Sequence, residues 1–170
     1  MHATETCYGF ACDAFNKKAI SRLYTLKKMD SKKPSSVMIT DITQARKYGK
    51  FNALALKLAH KYWPGPLTLI VPRRASLPKF LNPGTCTIGI RVPNHALTQK
   101  ILHAYHRPLI TTSANLSGKK EIYSIRVLSK TITPDLIIDS GRIPKKKPST
   151  IIGINKNRIN VIRRGSISIS

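Results

Sequence analysis

Acidic side chains are scarce in this chain: seven Asp and Glu stand against 30 Lys and Arg in 170 residues, a formal net charge of +23. With so few carboxylates, of which Asp135 and Asp139 are the closest pair, a protein-built cage for a hard cation is not expected. Cysteine is rarer still. Cys7, Cys12 and Cys86 are unclustered and odd in number, which argues against both a metal knot and a disulfide framework and suits a reducing cytoplasm. No apolar run reaches membrane-spanning length, and no charged-then-apolar leader precedes a cleavage site. A Walker-type glycine loop is missing, and the basic clusters carry no interleaved aromatics on which single-stranded nucleic acid would stack. The hydroxyl residues have no paired His/Asp arrangement, so a serine-hydrolase reading is poor. His60, His95, His103 and His106 form no ligand constellation and read as surface or helix-end residues.

What is present fits one domain with a real core: the hydrophobic fraction, 41%, is ordinary for a globular protein of this length. The excess of positive charge favours polyanionic partners and substrates, nucleotides and RNA first. A drift towards Lys, Ile and Asn raises the charge equally well without selecting a partner. The basic residues are scattered, with short clusters at Lys27-Lys28, Lys32-Lys33, Arg73-Arg74, Lys119-Lys120 and Lys145 to Lys147, where a dedicated nucleic-acid arm would concentrate them.

Periodicity gives alternating helices and strands. A helix over 16–28 starts at the cap Asn16 and carries Ala19, Ile20, Leu23 and Tyr24 on one stripe. A short strand follows over 36–40, then a helix from Asp41 or Thr43. A second helix over 52–62 has Leu54, Leu58 and Tyr62 at helical spacing and is stopped by Pro64-Gly65-Pro66. Strands are expected over 67–71, 85–92, 109–112 and 136–139, with a helix over 97–105. A terminal hairpin of 150–154 and 158–163 turns around Lys156-Asn157. The mixture predicts an α/β or α+β fold with a mixed sheet.

In the strand over 85–92, alternation places Cys86, Ile88, Ile90 and Val92 on a core face, and Thr87, Gly89 and Arg91 on the other. Arg91 carries a fork suited to a carboxylate or phosphate. A plain surface arginine is the alternative. Gly89, which leaves open space two residues earlier, favours close approach of a ligand. The run Leu109-Ile-Thr-Thr-Ser-Ala-Asn-Leu-Ser-Gly118 ends a β-branched strand in hydroxyl and amide groups, either delivering them into a cleft or making an ordinary Asx or Ser turn. Three further segments carry the same kind of signal: Thr4-Glu-Thr-Cys-Tyr-Gly9, Tyr62-Trp-Pro-Gly-Pro-Leu-Thr68 and Pro148-Ser-Thr150.

In this order, with a lysine-rich loop after the first helix, a strand ending Ile90-Arg-Val-Pro93 and a terminal Arg163-Arg-Gly165, these segments resemble the YrdC-like threonylcarbamoyl-adenylate synthase family. The resemblance implies a YrdC-like α/β (α+β) fold: a twisted mixed sheet with flanking helices and a concave basic groove, in a domain over 4–165 followed by a tail over 166–170. It implies condensation of L-threonine, bicarbonate or CO2, and ATP to threonylcarbamoyl-AMP and pyrophosphate. Thr6, Arg91, Thr111 and Ser149 would bind threonine. Lys27, Lys33, Thr87, Ser113, Asn115 and Arg163 would bind ATP. It assigns no protein acid or base and no protein-held metal, Mg2+ arriving on ATP. The product would feed a separate transferase complex that modifies adenosine in tRNA. A non-catalytic, basic RNA-binding protein on the same fold, with tRNA as a partner, is the competing class.

The chain departs from the family pattern in places. Only Met1-His2-Ala3 precede Thr4, where members usually carry a helix and a strand, so either the start lies further upstream or an edge element is absent. Met29 stands where members have a nucleotide-binding arginine and Asp30 where they have proline, while Lys27, Lys33 and Pro34 agree. Loss of one guanidinium contact is worth about 1.5–3 kcal/mol. Met38 stands where many members place histidine, and Glu121 where many have serine.

Overall fold

The computed structural model describes residues 1–30, 32–155 and 158–169. Four α-helices arise where a short polar side chain meets an apolar stripe. Asn16 accepts the Ala19 N–H at 3.0 Å and starts α1 (Lys17–Lys27), whose Ile20, Leu23 and Tyr24 are buried. Asp41 caps α2 (Ile42–Tyr48) through Gln44 N–H, and Asn52 caps α3 (Ala53–Tyr62) through Ala55 N–H. His95 caps α4 (Ala96–Tyr105). At the far end of α1, Lys28 adopts φ 49° and ψ 45°, its N–H bonds to Thr25 O, and Met29 N–H reaches back to Tyr24 O at 2.9 Å. This is the Schellman stop, whose closing residue packs an apolar side chain on the helix it ends. Met29 fills that role.

Eight strands form one mixed sheet: β1 (His2–Ala3), β2 (Tyr8–Asp13), β3 (Ser36–Met38), β4 (Leu67–Pro72), β5 (Thr87–Arg91), β6 (Leu109–Ser113), β7 (Thr150–Asn155) and β8 (Arg158–Arg163). Their spatial order is β1-β2-β6-β3-β5-β4-β7-β8. The pairs β3/β5 and β4/β7 are parallel and the others antiparallel. The last ladder shifts register between Ile151 and Ile152, leaving Ile162 as an extra residue and Arg163 opposite Ile151.

Alternation sorts side chains onto two faces. Val37, Leu67, Leu69, Val71, Ile88, Ile90, Ile110 and Ile152 join α1, α2 and α3 in the main core. On the opposite face, Met38 and Leu109 pack with Leu102 of α4 in a second, smaller cluster. Beside that cluster the second face carries Ser36, Thr68, Gly89, Arg91, Thr111 and Ser113 in place of apolar side chains, and there the groove opens.

The structure corrects several sequence expectations. Residues 136–139 are not a strand: Ile138 makes one bridge to His2, Leu136 is 66% exposed, and Asp139 turns to accept from the Tyr8 hydroxyl. The strand expected from residue 85 begins at Thr87, so Cys86 is exposed and not core. The strand expected over 36–40 ends at Met38. His2 and Ala3 are sheet residues, paired with Gly9 and Tyr8, and Ala3 is fully buried. The expected hairpin pairs as β7/β8, while its turn at Lys156-Asn157 lies outside the described residues. Ile167 and Ile169 pack against the main core.

Candidate functional site

A groove of about 260 Å3 opens on the second face, floored by β2, β3, β4, β5 and β6 and walled by Lys27, Met29 and residues 33–36 on one side, Asn115 to Glu121 at one end, and Pro148, Ser149 and Arg163 on the other. It gathers nine of the ten residues singled out from sequence: Thr6, Lys27, Lys33, Arg91, Thr111, Ser113, Asn115, Ser149 and Arg163. The tenth, Thr87, is exposed at the start of β5, opposite Pro72, and does not line the groove. Alternation puts Thr87 on the correct face, but it lies too far back along the strand. Nor is there open space above Gly89: a Cβ there would lie 2.4 Å from Ser36 Oγ and 3.4 Å from Thr68 Cγ2. Its missing side chain lets neighbouring hydroxyl residues close over the strand.

Arg91 is 7% exposed. Its Nη2 meets Glu5 Oε1 at 2.7 Å and approaches Thr6 Oγ1 at 3.4 Å, while its Nε has no partner among the described residues. Glu5 Oε1 also accepts the Asn94 N–H, which fixes the carboxylate beside the guanidinium. A buried cation needs such a counter-charge. Thr6 is aimed by its neighbour: Thr4 Oγ1 accepts the backbone N–H of Thr6 and Cys7, donates to Cys7 O, and lies 3.0 Å from Thr6 Oγ1.

On the opposite wall, Arg163 donates twice to Ser149 O, at 2.8 and 3.0 Å, and once to Ser149 Oγ at 2.9 Å. Ser149 Oγ also lies 3.0 Å from Thr68 Oγ1. Burial first, then the charge of Arg91, holds the Arg163 guanidinium below the ordinary arginine pKa. Two guanidinium groups that feel each other across a groove make a place for an anion. The Arg163–Ser149 clasp depends on Gly165, because a Cβ there would sit 2.2 Å from Pro148 O and 2.5 Å from Thr150 N.

Lys27 reaches from the end of α1 to the end of β6. Its Nζ donates to Ser113 O, to Asn115 O at 2.7 Å and to Asn115 Oδ1 at 3.2 Å. Burial pushes this ammonium down to about 8, and the charge of Lys33 acts in the same direction. The Ser113 hydroxyl donates to Asn115 Oδ1, and Asn115 Nδ2 donates to Lys119 O, so the hydroxyl-rich turn is held in one shape. Met29 lines the same wall. Glu121 supplies a carboxylate there, close enough to Arg163 for their charges to interact.

Sequence reading singled out the segments that hold Thr4, Glu5 and Thr68 but gave these residues no role, and it passed over Ser36. Thr68 was within reach, because Leu67, Leu69 and Val71 alternate with it along β4 and put it on the groove face. Glu5 was not, since nothing in its own segment announces that its carboxylate meets Arg91, 86 residues away.

The fold and groove define a single-sheet α/β protein whose groove brings together two arginines, two lysines and a set of hydroxyls. The sequence matches the Sua5/YciO/YrdC family model, described as telomere recombination, over residues 2–165, and the chain belongs to that family. A Methanocaldococcus jannaschii relative is 36% identical over 168 residues, covering 98% of this chain and 79% of its own. A threonylcarbamoyl-AMP synthase from Buchnera aphidicola is 30% identical, with 93% of each chain covered. Among solved structures, Pyrococcus abyssi Sua5 complexed with L-threonine superimposes with a TM-score of 0.88 at 30% identity. It covers 96% of this chain, which spans about half the length (49%) of that protein. Escherichia coli YciO superimposes with a TM-score of 0.84 at 27% identity over 96% of this chain and 81% of its own.

Proposed function

We propose that this chain is an L-threonylcarbamoyladenylate synthase. The observation that carries the reading is the buried Arg91 guanidinium, half committed to Glu5 and facing a groove ringed by Thr6, Thr68, Thr111 and Ser149. This is the chemistry for an amino acid's carboxylate and hydroxyl. The L-threonine complex of the Pyrococcus abyssi relative and the synthase name of the Buchnera aphidicola relative support the same substrate.

In this reading Thr6, Arg91, Thr111 and Ser149 hold threonine, and Lys27, Lys33, Ser113, Asn115 and Arg163 hold ATP. Thr87 drops out of the nucleotide set because it lies outside the groove. The threonine nitrogen, taken as the free amine, adds to CO2 and gives up one proton to solvent, leaving a carbamate. A carbamate oxygen then attacks the α-phosphorus, and the bond to the bridging oxygen breaks with pyrophosphate as leaving group. The cationic groups offset charge as it builds on the phosphates, and the hydroxyls hold the two reactants in line. Mg2+ in this reading arrives on ATP, held by the phosphates. The product is consumed by a separate transferase acting on tRNA adenosine in the cytoplasm.

The test is pyrophosphate release by the purified chain. Release that requires threonine, bicarbonate and ATP together supports the reading. Release independent of threonine, or none at all, sinks it.

A further inference from the structure

A second cavity, of about 570 Å3, lies behind the lysine loop, between α1 and the 80–83 segment. Ile20, Tyr24, Met29 and Phe80 give it an apolar wall with two aromatic rings, and the exposed Lys17 and Lys28 also line it. None of the described residues that line it is acidic. An apolar slot with two rings in its wall and cations at its edge suits a flat ring that carries a negative charge.

Its position ties it to the substrate groove. Met29 lines both spaces. The Tyr24 hydroxyl donates to Lys33 O at 2.8 Å and lies 2.9 Å from Ser35 Oγ. Asn82 accepts the Ser35 N–H and donates back to Ser35 O, at 2.9 and 2.8 Å. Lys33, Pro34, Ser35 and Ser36 all line the groove, so this wall hangs from side chains that face the second cavity.

We propose that the cavity between α1 and Phe80 binds a planar aromatic anion, the chemistry shared by a nucleoside monophosphate and a simple aromatic acid, and that its occupancy changes nucleotide affinity through Met29, Tyr24 and Asn82. The first claim is independent of the catalytic assignment. The second is read by ATP binding and does not require turnover.

Amide spectra of the 15N-labelled chain test it, with AMP and naphthalene-1-sulfonate as probes and naphthalene-1-methanol as the uncharged control. At least one anionic probe should saturate amides of Ser21, Thr25, Met29 and Phe80, and the control should bind at least tenfold more weakly. Ser21→Trp, which fills the slot from an exposed helix position, should abolish this response, and Lys17→Glu should weaken it severalfold. Arg91→Lys should leave it intact. With naphthalene-1-sulfonate saturating, ATP affinity should change threefold or more. Shifts confined to residues 111–115, equal binding of the uncharged control, or indifference to Ser21→Trp and Lys17→Glu would overturn the site. Unchanged ATP affinity would overturn the coupling.

Discussion

Arg91 shows how a single residue divides its capacity between the fold and a ligand. Glu5 takes one end of the guanidinium and keeps the buried charge neutralised, while the Nε has no partner among the described residues. Arg91→Lys preserves the charge and the pairing with Glu5 but loses the fork. The KM for threonine should rise about tenfold or more, with the KM for ATP changing far less; equal effects on both substrates, measured by initial rates, would remove Arg91 from the carboxylate role. Lys27 makes a pH-dependent prediction. Its ammonium, pushed down to about 8 by burial, is charged below that value and neutral above it. ATP affinity should therefore fall as pH rises through about 8. Stability should move the other way: the folded state binds its proton less tightly than an unfolded lysine near 10.5, so Lys27 opposes folding at low pH, and that cost is relieved between about 8 and 10.5. Urea melts and ATP titrations across this window, compared with Lys27→Met, should show the two opposed trends only when Lys27 is present. At Met29, arginine would place a guanidinium on the groove wall and should tighten ATP by roughly one to two decades, the worth of one charge-assisted contact, with threonine affinity nearly unchanged. The single substitution is the cleaner test. Asp30 Oδ1 accepts the Lys32 N–H at 2.8 Å, a bond that proline at position 30 would remove. Unchanged ATP affinity in Met29→Arg would mean that Lys28 or Lys32 already compensates.

At the level of elements, what could be read from sequence was what neighbours along the chain decide. Asn16, Asp41 and Asn52 cap helices because each side chain meets an amide three residues on, and the alternation in β5 and β6 put Arg91, Thr111 and Ser113 on one face. What could not be read was decided by distant partners. The two-residue β1 exists because β2 offers it a ladder, and residues 136–139 stay irregular because, among the described residues, their bridge to the sheet is the single one from Ile138 to His2. Cys86 failed as a core marker for a related reason, because the strand begins later than its apolar pattern does, and Thr87 lies on the groove face but at the strand's start, away from the groove. Contact across sequence also fixes the C-terminal clasp. In Gly165→Ala the new methyl meets backbone atoms of residues 148–150, which cannot swing aside as a side-chain tip would. The variant should lose about 1–3 kcal/mol of stability and raise the KM for both substrates, since Ser149 and Arg163 move together. Chemical denaturation and initial rates check this, and a neutral Gly165→Ala would show that the clasp tolerates displacement.

For the whole molecule, the +23 charge invites a nucleic-acid reading that the groove does not need. If the charge serves nucleotide binding or reflects composition, RNA binding should be weak and sequence-blind. It should also fall by roughly three decades between 50 and 200 mM salt. Filter binding with a tRNA and an unrelated RNA of equal length checks this; tight, tRNA-selective binding at near-physiological salt would contradict it. No helix among the described residues is long and apolar enough to cross a membrane. The chain spans about half the length of Pyrococcus abyssi Sua5, yet 93% of the Buchnera aphidicola relative. The central claim is that this groove joins threonine, bicarbonate carbon and the AMP of ATP into one adenylate, with release of pyrophosphate. The most direct measurement supplies 13C-bicarbonate, L-threonine and ATP and follows the product by mass spectrometry. The account predicts an adenylate that carries the bicarbonate carbon and the threonine skeleton in one molecule, formed with equal amounts of pyrophosphate and much reduced in Arg91→Lys at low threonine. AMP or ADP without that labelled adenylate, from a folded chain that binds ATP, would contradict it.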